Sequence, residues 1–300
     1  IGVPYKVIND GFPQVVEFDD IYHLMPPRPP DGNKGTFGNV LIIAGARGFS
    51  GAAAMAAISA LKVGAGLVRL AAPKSILNAL AAKHLEIVNV PLSETKEQTI
   101  SPDAVNDLLP HLNKTDVVVI GPGITTNSKT AEFLFRFLPQ VTVPLVIDAD
   151  AINIISKNQS FLQYLPGNTI LTPHPKEFVA LLKQISLVNI SVQELQKNRF
   201  KYAEEFCKKF PHVTLVLKGA NVIIAKDNEF YINPHGTSAL AKGGSGDVLS
   251  GLVGSLLAQG HQCLDAAINA SLAHTKLALN YDGADFSLTP DDLIEGIGKL

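Results

Sequence analysis

The stretch Ala241-Lys242-Gly243-Gly244-Ser245-Gly246-Asp247 runs straight into the apolar segment Val248 to Leu257, which puts a glycine-rich turn on the mouth of a helix. Such a turn leaves the backbone N–H groups of Gly243, Gly244, Ser245 and Gly246 facing outward at the positive end of the helix dipole, an anion hole for a phosphate or another oxyanion. Three glycines in four positions forfeit more backbone entropy than a simple cap requires, and they suit a place where backbone approaches a ligand closely. The spacing is not the G-x-x-x-x-G-K-[ST] of a Walker A loop. Asp247, in the first turn, has two readings. It can cap orphan N–H groups, an effect of about 1 kcal/mol, or it can serve the chemistry of whatever anion the turn holds.

Other residues of chemical interest fall at the ends of β-branched runs. Asp148 and Asp150 close one run, where carboxylates either cap the next helix or hold a hydrated magnesium ion. Alternation places both on one side of the strand; a polar-site role suits Asp148 and capping suits Asp150. His174 is fixed between Pro173 and Pro175, as a hydrogen-bonded structural histidine or a ligand contact. Lys218 precedes Gly219, as a solvated strand-end lysine or a point charge for a phosphate. Gly121-Pro122-Gly123 is a turn or a ligand contact. Gly45-Ala46-Arg47-Gly48-Phe49-Ser50-Gly51 has the spacing G-x-x-G-x-x-G and departs from the G-x-G-x-x-G dinucleotide fingerprint, so a tight substrate loop fits better than a Rossmann dehydrogenase.

The elements that must position these groups repeat a single rhythm. Asn39 to Gly45, Asp116 to Gly121, Pro144 to Asp148, Thr169 to Thr172 and Val213 to Lys218 are short apolar runs separated by helical or loop text. Buried strands alternating with helices predict an α/β fold with a mostly parallel sheet covered on both faces. Residues 221–226 and 229–232 predict an antiparallel hairpin. Helices are expected over about 51–63, from 246, over 266–280 and over 290–298, the small residues from Ala52 to Ala60 serving close packing. In such sheets ligands collect beyond the carboxyl ends of the strands, where five of the unusual loops fall.

Composition bounds the answer. The 300 residues, 46% hydrophobic and 17% charged, support one large α/β domain, and a net charge of -2 without basic runs argues against nucleic acid or a membrane as partner. Cys207 and Cys263 lack metal-ligand spacing and read as thiols in a reducing cytosol. No apolar stretch approaches the roughly 20 residues of a membrane span, and the N-terminus has no signal-peptide pattern, so a soluble cytoplasmic protein is expected. Residues 1–33 read as an N-terminal extension ending in the linker Pro26-Pro27-Arg28-Pro29-Pro30-Asp31-Gly32-Asn33, and residues 34–300 as the functional domain.

Taken together, the residues resemble the ADP- or ATP-dependent NAD(P)H-hydrate dehydratase family. The matching pieces, in order, are Lys34-Gly35-Thr36-Phe37-Gly38, Gly51-Ala52, Gly121-Pro122-Gly123, Asp148-Ala149-Asp150-Ala151, Thr172-Pro173-His174-Pro175-Lys176-Glu177, Leu217-Lys218-Gly219, Asn233-Pro234 and Ala241 to Asp247. The resemblance implies a three-layer α/β/α ribokinase-like fold. It implies that Ala52, Gly123, His174 and Asp247 contact the hydrated nicotinamide, and that Lys218, Gly219, Ala220, Asn221, Val222 and Gly246 contact the adenine nucleotide. By similarity to related kinases, Glu177 would help hold Mg²⁺ through water.

The implied reaction is the nucleotide-dependent dehydration of (6S)-NAD(P)HX to NAD(P)H with ADP or ATP as co-substrate, Asp247 being the catalytic residue. A homo-oligomer such as a tetramer is implied too. Ile1-Gly2-Val3-Pro4 and the proline-rich linker resemble the junction of bifunctional members, in which an NAD(P)HX epimerase domain precedes the dehydratase and which lean toward ADP. Two rival readings share the glycine turn: a vitamin-type kinase of the same fold, many of which carry asparagine in place of His174, and a nucleotide-binding regulator without turnover.

Overall fold

Continuous β-branched and leucine-rich runs bury both faces of a strand, and here they build a ten-stranded sheet. The computed structural model describes residues 13–24, 28–158, 160–163, 165–185 and 189–300. Ile1-Gly2-Val3-Pro4 and the linker prolines Pro26 and Pro27 lie outside the described residues. The strands are β1 (Gln14–Val15), β2 (Asn39–Ile43), β3 (Leu67–Pro73), β4 (Val88–Leu92), β5 (Val117–Ile120), β6 (Leu145–Ile147), β7 (Thr169–Leu171), β8 (Val213–Leu217), β9 (Val222–Lys226) and β10 (Glu229–Asn233). Their order across the sheet is β1-β10-β9-β8-β7-β6-β5-β2-β3-β4. Every neighbouring pair is parallel except those made by β9, which runs antiparallel to β8 and β10.

The helices are α1 (Asp19–Leu24), α2 (Ser50–Lys62), α3 (Lys74–Lys83), α4 (Ala104–Leu112), α5 (Ser128–Phe137), α6 (Ala149–Ile155), α7 (Ser160–Gln163), α8 (Pro175–Gln184), α9 (Val192–Lys197), α10 (Arg199–Lys209), α11 (Ser245–Ala258), α12 (Cys263–Leu279) and α13 (Pro290–Gly296). Side-chain alternation divides the strands between two cores. Val40, Ile42, Val117, Val119, Val146 and Ile170 face α2, α11 and α12, whereas Leu41, Ile43, Val118, Ile120, Ile147 and Leu171 face α5, α6, α8 and α10. The result is three layers. Each fully buried aliphatic side chain contributes about 1.5–3 kcal/mol of transfer free energy, which makes the sheet a rigid base for the loops on its rim.

The small residues of α2 allow α11 to come very near. A Cβ on Gly251 would sit 2.0 Å from Ser59 Oγ and 2.3 Å from Ala56 O, so only glycine lets the two helices cross there. This crossing brings the N-terminal ends of α2 and α11 to the same edge of the sheet.

The predicted strands and the hairpin are present. The sequence reading passed over β1, β3 and β4. Within residues 1–33, β1 pairs in parallel with β10 through Gln14–Tyr231 and Val15–Ile232, and Val16 and Ile21 are buried. Arg28 stacks on Phe37, 3.8 Å from the ring centroid. The alternation expected for Asp148 and Asp150 does not hold, because α6 starts at Ala149 and puts both carboxylates on a helix end.

Candidate functional site

The parallel strands deliver their carboxyl ends to one rim, and the N-terminus of α11 is set against it. At its centre the Lys218 Nζ donates to Asp148 Oδ1 at 2.8 Å, and Ser250 Oγ donates to Asp148 Oδ2 at 2.6 Å. Asp148 occupies the N-cap position of α6, yet its side chain makes no capping bond. Burial alone would raise its pKa, but the Lys218 charge and hydrogen bonds from Lys218, Ser250 and Thr172 outweigh burial and hold the carboxyl below its ordinary value. Burial likewise opposes the Lys218 charge, and Asp148, Glu177 and Asp247 outweigh it and raise the ammonium above its ordinary value. Asp150 accepts from Thr125 N–H at 3.0 Å, so it ties α6 to the loop after β5 instead of capping its own helix. Burial raises its pKa.

Gly244, the N-cap of α11, is left-handed at φ 96°, and no side chain caps that helix end among the described residues. A Cβ at Gly244 would also strike Met55 Sδ at 2.6 Å and Pro290 Cγ at 2.8 Å, so the turn is seated on α2 and α13. Gly246 lies on the other side, where a Cβ would be 3.5 Å from Lys218 Nζ. The first-turn N–H groups of Gly246 and Asp247 thus have neither intrahelical acceptors nor a cap. Asp247 is half-buried, and burial together with the Asp148 charge pushes its carboxyl up to about 7. A group with that pKa is suited to exchange a proton near neutral pH.

His174 is the N-cap of α8, and its Nδ1 accepts from Lys176 N–H at 3.1 Å and Glu177 N–H at 3.2 Å. Glu177 Oε2 accepts from His174 N–H at 2.8 Å, which completes a capping box. Nδ1 is therefore the acceptor of the neutral ring, and Nε2 carries the proton. Burial and the Lys218 charge lower the His174 pKa. Glu177 is buried, and burial with the neighbouring Asp148 charge pushes its carboxyl up to about 7, against the Lys218 charge, which lowers it.

A cavity of about 530 Å³ opens beside these groups, bordered by His174, Lys218, Gly219, Ala220, Gly246 and the 236–241 segment. The loop that carries Lys218 to Ala220 is held from outside the cavity by Arg199 at the start of α10, which donates to Asn221 O at 2.6 Å, Leu217 O at 2.8 Å and Lys218 O at 3.1 Å. Gly219 admits the guanidinium, since a Cβ there would lie 2.9 Å from it.

The predicted site residues fall into two groups. Lys218, Gly219, Ala220, Val222, Ser245, Gly246 and His174 border the cavity, while Asn221 next to them is exposed. Ala52 and Gly123 form a second corner: a Cβ on Gly123 would be 3.0 Å from Ala52 Cβ and 2.8 Å from Phe49 Cβ. The glycine turn joins the corners, through Gly244 on α2 and Gly246 at Lys218. Gly243 is exposed at its crest. Arg199, Ser250 and His274 escaped the sequence reading. The i+4 spacing of Ser250 from Gly246 on one helix face was the signal for the first of the helix pair, and nothing local marks Arg199 or His274.

Residues 40–299 match the sequence profile of the NAD(P)H-hydrate dehydratase family. The chain is 40% identical over 237 residues to the bifunctional NAD(P)H-hydrate repair enzyme Nnr of Moorella thermoacetica, an alignment covering 79% of this chain and 43% of that protein. It is 30% identical over 269 residues to the ADP-dependent (S)-NAD(P)H-hydrate dehydratase of Lactiplantibacillus plantarum, covering 89% and 88%. Among solved structures, an ADP/ATP-dependent NAD(P)H-hydrate dehydratase from Bacillus subtilis, co-crystallised with ATP/Mg²⁺, aligns with a TM-score of 0.77 at 25% identity, over 95% of this chain and 96% of that one. The chain spans about half the length of the bifunctional repair enzymes it matches. The sheet and its two helical layers have the ribokinase-like architecture implied by the resemblance.

Proposed function

The chain belongs to the NAD(P)H-hydrate dehydratase family, and from that premise we propose that it dehydrates (6S)-NAD(P)HX to NAD(P)H at the expense of a nucleotide, ADP being the phosphoryl donor. The observation that carries this reading is the position of Asp247. Its carboxyl, with a pKa of about 7, stands on the uncapped turn that joins the Lys218 cavity to the Ala52–Gly123 corner. The nucleotide occupies the cavity lined by Lys218, Gly219, Ala220, Val222 and Gly246, with Asn221 at its lip. The hydrated ring lies at Ala52 and Gly123, with His174 and Asp247 as its further contacts, the His174 Nε2 being 3.3 Å from Glu177 Oε1.

Asp247 accepts the proton of the ring hydroxyl as its oxygen attacks the terminal phosphoryl group. The bond from that phosphorus to the bridging oxygen breaks, and AMP leaves when ADP is the donor. Of the expected anion-hole donors Ser245 drops out, because its N–H already donates to Lys242 O at 3.3 Å; the N–H groups of Gly243, Gly244 and Gly246 and the helix dipole stabilise the charge on the phosphoryl group in flight. Phosphate then departs with its bonding electrons, pushed by the ring nitrogen lone pair, and loss of a proton from the adjacent ring carbon restores the double bond.

Among the described residues no three or more His, Cys, Asp or Glu side chains converge to hold a metal ion directly, so the carboxylates of Asp148, Asp150, Glu177 and Asp247 would meet a magnesium ion only through its water shell. Burial first, and the Asp148 charge second, raise Asp150, Glu177 and Asp247, and a cation beside them would relieve that cost. Glu177 would hold the ion through water, since Oε2 already accepts from His174 N–H. When bound with the nucleotide, the ion would neutralise phosphate charge.

The same reading extends to the whole protein: an epimerase domain ahead of this segment, a homo-oligomer and a cytoplasmic location, with the boundary lying before Gln14 and not near Lys34, since β1 and the buried Val16 and Ile21 belong to the dehydratase sheet and core. No helix among the described residues is long and apolar enough to cross a membrane. The deciding assay incubates the protein with NADHX, Mg²⁺ and ADP or ATP and follows the return of reduced nicotinamide absorbance. No signal with either nucleotide would refute the dehydratase reading.

A further inference from the structure

Ser245 is the first residue of α11, one position past the N-cap. A serine at a helix start ordinarily turns its hydroxyl onto free N–H groups. This one does not. Its Oγ and His274 Nε2, in the middle of α12, share a 3.0 Å hydrogen bond, and both residues are buried. The pair borders the cavity in company with Gly246 and Lys218.

The surroundings of His274 give the bond its weight. Burial, with the Lys218 charge, pushes the imidazole down to about 4 against a hydrogen bond to the Ser245 backbone, so the ring is neutral at physiological pH. A neutral, buried imidazole brings no charge to the anion hole and needs a partner for its polar atoms. On the same wall Asn233 Nδ2 donates to Ser271 Oγ and Thr275 Oγ1, each at 3.0 Å, so two neighbouring turns of α12 are pinned to β10. His274 stands on a fixed support. The glycine turn opposite it closes on itself through Ser245 N–H to Lys242 O at 3.3 Å and Val248 N–H to Gly244 O at 3.1 Å, and Gly243 and Gly244 have no side chains with which to tie it to α12.

We propose that His274 is a positioning residue, which acts through the Ser245 hydroxyl to clamp the Gly243–Gly246 turn to α12 and so holds the first-turn N–H groups in register with Lys218. The hydroxyl, engaged by His274, stays off the helix end, and the Gly246 and Asp247 amides remain open to a phosphoryl group. The clamp acts on the turn alone. The Ala52–Gly123 corner is on α2 and the loop after β5, and the His274 hydrogen bond goes to Ser245.

This inference rests on the dehydratase reading, and the experiment separates the two. Wild type is assayed first with NADHX, Mg²⁺ and ADP; a wild type without turnover defeats the reading itself. Given turnover, Ser245→Ala and His274→Leu each lower kcat about tenfold, the effect of one lost buried hydrogen bond, with KM for NADHX unchanged. His274→Gln, whose amide can reach the hydroxyl, recovers most of the loss. The double variant Ser245→Ala/His274→Leu falls no further than the worse single variant. Additive losses, or a Gln variant as impaired as Leu, would overturn the clamp. Should His274→Leu fail to fold, Ser245→Ala decides alone, because it opens no hole in α12: a kcat equal to wild type overturns the proposal.

Discussion

Lys218 Nζ and Asp148 Oδ1 meet at 2.8 Å from the ends of two strands seventy residues apart in sequence, and theirs is the ion pair on which the rim is centred. Asp148 is almost wholly buried and Lys218 is 20% exposed, so each charge is stabilised chiefly by the other. Removing one partner leaves an uncompensated charge in a low-dielectric site, at a cost of about 3–5 kcal/mol. Lys218→Met is therefore expected to lower the melting temperature by many degrees, whereas Asp148→Asn/Lys218→Met loses much less. Thermal melts of the two variants check this, and equal losses would mean that the pair contributes through packing alone.

Asp247→Asn keeps the shape of the first turn and removes the proton acceptor. General-base catalysis contributes about 10²–10⁴-fold, so kcat falls by at least about a hundredfold while nucleotide affinity, measured by calorimetry, stays near that of wild type. If Asp247 is only a cap, the variant instead loses stability and affinity together.

Both Asp247 and Glu177 have folded-state values of about 7 against ordinary values of 3.8 and 4.5. Between those ordinary values and about 7 the folded protein holds protons that the unfolded chain has released, so this share of stability is greatest at low pH and is lost as pH rises through that window. Asp148 works in the opposite sense, its lowered pKa costing stability only as pH falls below its ordinary 3.8. Melting temperature is expected to decline from about pH 4 to above 7, with a shallower decline in Glu177→Gln. Over the same range kcat/KM rises as Asp247 loses its proton, a limb with a midpoint of about 7 that Asp247→Asn removes.

The five rim loops were legible because buried parallel strands announce themselves as continuous apolar runs and their ends as glycine, proline and charge. Strand β3 was not, since Leu67-Val68-Arg69-Leu70-Ala71-Ala72-Pro73 carries an arginine and small residues and follows a helix of similar alanine-rich text. Strand β4 contains Pro91, tolerable there because β4 is the edge of the sheet. The site was legible in its loops and illegible in its supports. His174 reads from the sequence as a ligand contact or a structural histidine; its Nδ1 caps α8, and the residue also borders the cavity. Arg199 and His274 reach the rim from helices whose local sequence says nothing of the loops they meet.

Arg199 supplies the last test. Its guanidinium donates to three carbonyls of residues 217–221, two through one nitrogen, and burial lowers its pKa without removing the charge. A planar fork can serve three fixed acceptors, while a lysine ammonium on a flexible stem cannot hold them in one geometry. Arg199→Lys is thus expected to weaken nucleotide binding by about tenfold, roughly one charge-assisted hydrogen bond, and Arg199→Ala by more. KM for the hydrated nicotinamide stays constant, because Ala52 and Gly123 are held by α2 and the loop after β5. Calorimetric titration with ADP and Mg²⁺ reads the affinity directly, and an Arg199→Ala protein that binds nucleotide as wild type does would show that the 218–221 loop keeps its shape without the clamp.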